Sequence, residues 1–253
     1  MDLGLRDRTY IVSGASAGLG FATAQALVAD GANVVLGSRS RERVSAAAAT
    51  LGDEQAVGIR ADLADERAAE DLVATALKRF GRVDGSVVSV GGPPPGPVSQ
   101  VTDEQWRSAF ESVFLGAVRL ARTVLATESP DGKAVTFVLS TSVRTPIGGL
   151  AISNGLRPGL AMTAKTLADE YGPQGDRVNV LLPGRIDTDR VKELDASGGD
   201  PDAARRQASA QIPLGRYGRP EEFGRVAAFV TSPAASFVSG SVIPVDGGMT
   251  RSL

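Results

Sequence analysis

A glycine-rich stretch near the start of the chain constrains its fold more than any other feature. Residues 13–20 read S-G-A-S-A-G-L-G and lie between an apolar run at 9–12 and a run with helical apolar spacing at 21–28. A buried strand, a glycine turn and a helix in this order present free backbone N–H groups and a positive helix end to a phosphate. The glycines allow a tight turn, close backbone approach to a diphosphate and close helix–strand packing. The stretch therefore predicts a dinucleotide-binding turn, with a plain strand-to-helix loop as the alternative.

Composition excludes several classes of function. A length of 253 residues is enough for one large α/β domain with a buried core. The formal net charge of −2 offers no global attraction to nucleic acids or to anionic membranes. The chain has no cysteine and no histidine, so we expect no disulfide, no metal site and no histidine base. Its first residues do not resemble a signal peptide and no apolar run approaches about 18 residues, which together favour a cytoplasmic protein.

Strand-like and helix-like segments alternate along the chain, which is typical of a parallel sheet covered by helices on both faces. Apolar runs predict strands at 9–12, 33–38, 56–61, 85–89, 134–140 and 177–182. Amphipathic patterns predict helices at 65–80, 102–127 and 220–231. We therefore predict an α/β fold: a single Rossmann-type doubly wound domain over residues 1–253, with about seven parallel strands.

The end of the second predicted strand indicates which dinucleotide is preferred. An acidic residue at this point selects NAD by holding the ribose 2′-hydroxyl, whereas a nearby arginine suits the 2′-phosphate of NADP. The chain has Ser38 and Arg39 here and no acid. A guanidinium matches a phosphate well, so we predict NADP(H), with NAD(H) as the alternative. The competing interpretation is that Arg39 and Arg41 only begin a solvated helix.

The glycine spacing G-x-x-x-G-x-G resembles that of the short-chain dehydrogenase/reductase family, whose motif reads T-G-x-x-x-G-x-G; Ser13 replaces the threonine. The resemblance runs from Leu5 to Met249 and is nearest to the 3-oxoacyl-ACP-reductase-like branch. It includes P-G-x-x-x-T at 183–188 and a terminal strand followed by D-G-G within 239–248. It implies an oxidoreductase that acts on carbonyl or hydroxyl groups and forms a homodimer or homotetramer through the terminal strand.

The resemblance also implies a set of cofactor-binding residues. They are Gly14, Ser16, Gly18, Leu19, Gly20, Ser38, Arg39, Asp62, Leu63, Gly91, Arg157, Pro183, Gly184, Ile186 and Thr188. Asp62, which faces the adenine in the family, could also cap the following helix. Gly91 is what remains of the family's N-N-A-G, because both asparagines are absent. The alternative for 183–188 is an ordinary Pro-Gly turn.

The catalytic positions depart from the family pattern. Ser142 follows the fifth predicted strand and aligns with the serine that hydrogen-bonds the substrate carbonyl; alternatively, Ser140 and Ser142 only satisfy backbone groups. The family's Tyr-x-x-x-Lys reads Ser153-x-x-x-Arg157 here. A serine is a poor acid and an arginine keeps its proton, although Arg157 could still hold ribose hydroxyls. Val113 stands where the family has an asparagine.

No tyrosine compensates by its position in the sequence. Tyr10 lies in the first strand, Tyr171 ends a helix, and Tyr217 sits in a late Arg-Tyr-Gly-Arg-Pro turn. Pro158 predicts that the helix ending at Tyr171 begins nearby, because proline belongs in a first turn.

Two functions follow from these observations. The first is an NADP(H)-dependent oxidoreductase with an atypical proton donor, acting on a small carbonyl compound or an acyl thioester, such as a 3-oxoacyl or cyclic ketone substrate. The proline-rich loop at 92–97 would line the substrate entrance, and residues 189–212 would form a mobile lid. The second is a non-catalytic dinucleotide-binding or scaffold protein, suggested by Val113, Ser153 and Arg157.

Overall fold

A parallel sheet runs through the centre of this computed structural model, which describes residues 1–196 and 199–252. The strands found in these residues are β1 (Thr9–Ser13), β2 (Asn33–Ser38), β3 (Ala56–Arg60), β4 (Gly85–Ser89), β5 (Ala134–Val138), β6 (Arg177–Pro183) and β7 (Val242–Val245). Their order across the sheet is β3-β2-β1-β4-β5-β6-β7, and every neighbouring pair is parallel. This order confirms the predicted seven-stranded, doubly wound architecture.

Helices cover both faces of the sheet. Those in the described part of the chain are α1 (Gly18–Ala29), α2 (Arg41–Leu51), α3 (Ala68–Phe80), α4 (Asp103–Ala109), α5 (Gly116–Leu125), α6 (Ala151–Tyr171), α7 (Asp189–Ala196), α8 (Pro201–Ala210) and α9 (Pro220–Thr231). One core cluster joins α1, α2 and α9 to the sheet, and the other joins α3, α5 and α6 to it. Strands buried on both faces account for the nearly continuous apolar runs in the sequence.

The order of strands creates a crevice beside the predicted dinucleotide-binding turn. β1 lies between β2 and β4, so the chain connections leave β1 and β4 toward opposite faces of the sheet. In open α/β sheets ligands bind at this switch point, outside the carboxyl ends of the strands. The glycine turn follows β1 and Gly91 follows β4, so they lie on opposite sides of this crevice.

Three predicted helix boundaries need correction. The helix predicted at 65–80 begins at Ala68, because the carboxylates of Asp62 and Asp65 accept hydrogen bonds from the N–H groups of Ala64 and Arg67 in turns that precede it. The single helix predicted at 102–127 is divided by a π-helical segment, Phe110–Leu115, between α4 and α5. Gly116, which follows this segment, packs so closely on the backbone carbonyl of Leu63 that a Cβ would collide with it.

The third correction concerns Pro158, which lies inside α6 and not in its first turn. The helix begins at Ala151, where Ala151, Ile152 and Ser153 are all buried. The amide side chain of Asn154 also bonds both the N–H and the C=O of Ile147, at 3.0 and 2.9 Å. Packing and these bonds outweigh the backbone hydrogen bond that a proline removes from a helix interior.

Candidate active site

The glycine turn is held in a shape that only glycine fills easily. Gly14 has φ +60°, and a Cβ at this position would lie 2.7 Å from the carbonyl oxygen of Ser89 in β4. A Cβ on Gly20 would lie 2.5 Å from the carbonyl oxygen of Gly14, so α1 packs directly on the turn. Ser13 ties the same region to β4, since its hydroxyl donates to Ser89 O at 2.7 Å and accepts from Ser89 N at 3.0 Å. The close approaches are those the motif predicted.

The first turn of α1 offers donors to an anion. Its N-cap residue is Ala17, which is extended and whose methyl side chain cannot accept a hydrogen bond. The helix begins at Gly18 with φ +58°, followed by Leu19 and Gly20. Uncapped N–H groups at the positive end of a helix are a natural phosphate site. The residues present therefore fit the diphosphate of a dinucleotide.

The adenosine side of the crevice brings together several predicted residues. The hydroxyl of Ser38, at the end of β2, donates to the hydroxyl of Ser16 in the turn at 2.9 Å. Arg39 is exposed, and its Nη2 lies 4.0 Å from the place a Cβ would take on Gly91. The Arg39 guanidinium thus extends over the crevice toward the loop after β4.

The loop after β6 crosses the crevice from the other side. Gly184 lies against Asp246, where a Cβ would come within 2.6 Å of the aspartate Cβ. Ile186 is buried and forms an isolated bridge with Gly218. Thr188 then reaches the glycine turn, with its Cγ2 at 3.5 Å from the Cβ position of Gly18. The segment predicted from P-G-x-x-x-T is thereby brought next to the diphosphate turn.

Ser142 and Ser153 come together as a buried hydroxyl pair. Ser142 lies in a short 3₁₀ turn after β5, whereas Ser153 lies in the first turn of α6. Their Oγ atoms are 3.1 Å apart, and either can be the donor. Ser140 satisfies a backbone group by accepting from Ser142 N, but the Ser142 hydroxyl itself is directed to Ser153.

Arg157 is buried one helical turn below this pair. Its Nη1 donates to the carbonyl oxygens of Val138 at 3.2 Å and Leu139 at 2.8 Å, at the end of β5. Burial lowers the pKa of Arg157 to about 10, which still leaves the guanidinium charged at neutral pH. The side chain therefore braces the strand end that carries Ser142. Val113 is likewise buried, inside the π-helical segment.

None of the three tyrosines joins the hydroxyl pair. Tyr10 is buried in β1 and Tyr171 is the last residue of α6, as predicted. The Tyr217 hydroxyl donates to both carboxylate oxygens of Asp195 in α7, at 3.1 and 3.0 Å. Burial, and then this hydrogen bond, raises the pKa of Tyr217. Tyr217 thus anchors α7 and is not placed as a catalytic acid.

Sequence reasoning missed the charged network that anchors α7 and α8. Arg185 donates to Asp195 at 3.0 Å, and Arg205 of α8 donates to both carboxylate oxygens of Asp187, at 3.2 and 3.0 Å. The Arg205 guanidinium also lies 4.5 Å from the centre of the Tyr217 ring. No regular spacing links these residues, and only their separate charges are visible in the sequence.

None of the helices in the described part of the chain has the length and apolar content that a bilayer crossing requires.

Comparison with known proteins agrees with this geometry. The family model described as enoyl-(acyl carrier protein) reductase matches residues 14–250. The cis-4-hydroxycyclohexanecarboxylate dehydrogenase of Sinomonas cyclohexanicum is 32% identical over 96% of this chain and 97% of that protein. The L-rhamnose 1-dehydrogenase (NAD(P)(+)) of Azotobacter vinelandii is 32% identical over 97% of both.

Solved structures resemble the whole chain. L-Sorbose reductase from Gluconobacter frateurii, complexed with NADPH and L-sorbose, has a TM-score of 0.92 at 28% identity and covers 100% of both chains. A short-chain dehydrogenase/reductase from Brucella melitensis, described as a glucose/ribitol dehydrogenase, has a TM-score of 0.92 at 32% identity over 100% of both chains. With the matched family model, these likenesses show that the chain belongs to the short-chain dehydrogenase/reductase family of oxidoreductases.

Proposed function

We propose that this protein is an NADP(H)-dependent oxidoreductase that interconverts a hydroxyl and a carbonyl group on a small polyhydroxylated or cyclic molecule. The observation that carries the proposal is the glycine-lined crevice between β1 and β4, bordered by the uncapped start of α1 and by Thr188. When bound, the dinucleotide supplies or accepts the hydride.

The chain's own residues would hold the cofactor at several points. The N–H groups of Gly18, Leu19 and Gly20 face the diphosphate position, while Asp62 and Leu63 belong to the adenine side. Gly91 leaves room beside the crevice, and the 183–188 loop closes it through Pro183, Gly184, Ile186 and Thr188. NADP(H) is preferred because Arg39 extends over the crevice and no carboxylate stands at the end of β2 to select NAD(H).

The proton donor in this proposal is atypical. Ser142 donates a hydrogen bond to the substrate oxygen, and the hydroxyl of Ser153 is hydrogen-bonded to that of Ser142, 3.1 Å away. Arg157 holds the end of β5 and contributes a fixed positive charge beneath the pair, which stabilises negative charge that develops on the substrate oxygen. Because the Arg157 guanidinium keeps its proton, the proton that reaches the substrate oxygen passes through hydroxyls or water and not through Arg157.

The relatives suggest the substrate class. They are named as dehydrogenases and a reductase of sugars and of a hydroxylated cyclohexane. Ser153 has a much smaller side chain than the tyrosine of the family pattern, which leaves room near the reacting oxygen. A 3-oxoacyl thioester remains a prediction from the sequence resemblance.

Helices α7 and α8 form the lid in this proposal, and the proline-rich loop at 92–97 forms the facing wall of the entrance. Gly96 N donates to Gly149 O at 2.6 Å and Gly96 O accepts from Ala151 N at 3.1 Å, so this wall is joined to the start of α6. We also propose one domain over the whole chain, a cytoplasmic location, and a homodimer or homotetramer that uses the half-exposed edge strand β7.

A non-catalytic dinucleotide-binding protein is the second candidate. It is favoured by one observation: the side chains at the family's acid and cation positions already have partners within the protein. Ser153 is hydrogen-bonded to Ser142, and Arg157 donates to two backbone carbonyls. In this case the fold would sense NADP(H) or act as a scaffold without chemistry.

The first test is calorimetric titration with NADPH and with NADH, followed by NADPH oxidation assays with sugar ketones, cyclic ketones and a 3-oxoacyl thioester. We expect tight binding of NADPH, weaker binding of NADH and turnover of a sugar or cyclic ketone. Absence of binding to both dinucleotides would overturn the proposal. Binding without turnover, together with activity created by Ser153→Tyr plus Arg157→Lys, would support the non-catalytic candidate instead.

A further inference from the structure

Arg190, the second residue of α7, lies across the loop that follows β4. Its Nη2 donates to the carbonyl oxygen of Pro93 at 3.2 Å. The guanidinium covers Gly92, where a Cβ would lie 3.0 Å from Nε and 3.3 Å from Nη2. Gly92 therefore provides the space in which Arg190 sits.

The start of α7 spans the two sides of the crevice. Thr188 lies beside Gly18, which follows β1, and two residues later Arg190 lies beside Gly92, which follows β4. Since β1 and β4 are neighbours at the switch point of the sheet, this short segment crosses the place where a ligand would bind. The Arg190 cation thus stands opposite the positive end of α1, with the crevice between them.

Arg190 differs from the other arginines of this region in how weakly it is held. Arg205 makes two hydrogen bonds to Asp187, and Arg185 is bonded to the buried Asp195. Arg190 forms an ion pair with Glu193 at 3.5 Å, and 69% of the Glu193 side chain is exposed. Exposed pairs of this kind contribute little to stability, so the guanidinium is available to a better acceptor.

We propose that Arg190 binds the diphosphate of the dinucleotide, exchanging the neutral Pro93 carbonyl for an anionic oxygen and so closing α7 over the crevice. Hydrogen bonds between a guanidinium and a phosphate are shorter and stronger than those to a neutral carbonyl. The diphosphate is then held from both sides, by the α1 amides and by Arg190. This inference rests on the proposed function, because it requires a dinucleotide in the crevice.

The test compares Arg190→Met with Lys192→Met, a matched loss of one charge from the same helix at a residue whose ion pair with Asp189 is exposed. The ligands are NADPH, 2′-phospho-ADP-ribose, which keeps the diphosphate but lacks nicotinamide, and 2′-AMP, which has no diphosphate. We expect Arg190→Met to weaken the first two by about tenfold or more and to leave 2′-AMP unchanged. Lys192→Met should change none of the three affinities. Arg190→Lys should lose part of the affinity, because lysine keeps the charge but lacks the paired N–H donors of the guanidinium.

Thermal unfolding of each ligand-free variant shows whether the fold is retained. Equal affinities of wild type and Arg190→Met for NADPH and for 2′-phospho-ADP-ribose would overturn the inference while leaving the proposed function intact. An effect confined to the KM of a carboxylated substrate would also overturn it, since Arg190 would then bind the substrate. A wild-type protein that binds neither dinucleotide ligand would overturn the proposed function and this inference with it.

Discussion

The hydroxyl oxygens of Ser142 and Ser153 lie 3.1 Å apart, although the residues belong to different elements, the turn after β5 and the start of α6. Both side chains are buried, with exposed fractions of 4% and 5%. The pair joins the substrate-facing serine of the family pattern to the position where that pattern has its tyrosine. Two hydroxyls in contact can share one hydrogen bond and leave the second proton free for a ligand oxygen.

We expect Ser142→Ala to lower kcat by about a hundredfold or more, because it removes a donor aimed at the developing charge on the substrate oxygen. Ser153→Ala should have a smaller effect, about tenfold, since Ser153 acts through Ser142. The measurement is steady-state NADPH oxidation together with NADPH affinity, which should remain unchanged in both variants. Ser112→Ala, which removes an exposed helix hydroxyl bonded to Ser108 O, is the control. Wild-type rates in Ser142→Ala would contradict the assigned role.

Arg39→Ala should weaken NADPH binding by about ten- to a hundredfold and leave NADH binding nearly unchanged. The reason is that a lost charge-assisted bond to the 2′-phosphate concerns only the phosphorylated cofactor. Calorimetry with both dinucleotides measures the change. Arg41→Ala removes a neighbouring exposed arginine at the start of α2 and should affect neither ligand. If both variants weakened both cofactors equally, general electrostatic attraction would explain the effect.

Gly20→Ala should destabilise the protein by about 1–3 kcal/mol, because the new methyl group would meet the Gly14 carbonyl oxygen at 2.5 Å and push α1 away from the turn. Dinucleotide affinity should fall as well, since the α1 amides move with the helix. Urea unfolding and calorimetry provide the two measurements. Gly172→Ala is the matched control: its φ is −53°, and a Cβ there meets no described atom within 4 Å. A stable Gly20→Ala protein with full affinity would show that the turn tolerates a looser packing.

The pair formed by Asp187 and Arg205 should make stability depend on pH in a defined direction. The hydrogen bond from Arg205 holds the pKa of Asp187 below its usual range, so the folded state binds this proton less readily than the unfolded state. The stabilisation is therefore present above the ordinary aspartate pKa of about 3.9 and is lost as the pH falls through the lower native value.

For this partly exposed pair we expect a difference of up to about 1 kcal/mol between wild type and Asp187→Asn at pH 7. The difference should shrink at about pH 3, because the carboxyl is then largely protonated in the unfolded state, and this proton uptake favours unfolding of the wild type. Unfolding by urea at the two pH values measures it. Asp189→Asn, which removes a more exposed partner of Lys192, should show almost no difference at either pH. A difference that stayed constant between these pH values would contradict the ionic origin.

Much of the fold could be predicted because its signals are local. Apolar runs of strand length, such as Asn33–Ser38 and Gly85–Ser89, agree with the observed strands residue by residue. The helix predicted at 220–231 agrees with α9, and its start could be predicted because a proline and two glutamates mark it. Local signals failed at Pro158, where the proline suggested a helix start and burial of the preceding turn of α6 decided otherwise.

The sequence by itself determined the doubly wound class, the glycine turn and the departures from the family's Tyr-x-x-x-Lys pattern, because each depends on residue type and short spacing. Only the tertiary structure decided what those positions touch: the hydroxyl contact of Ser142 with Ser153, the backbone bonds of Arg157, and Arg39 over Gly91. It also decided that Tyr217 and Arg205 anchor the helices after β6 and that Arg190 donates to the carbonyl oxygen of Pro93. These contacts join distant segments through the packing of helices on the sheet, and no local pattern encodes which side chains meet there.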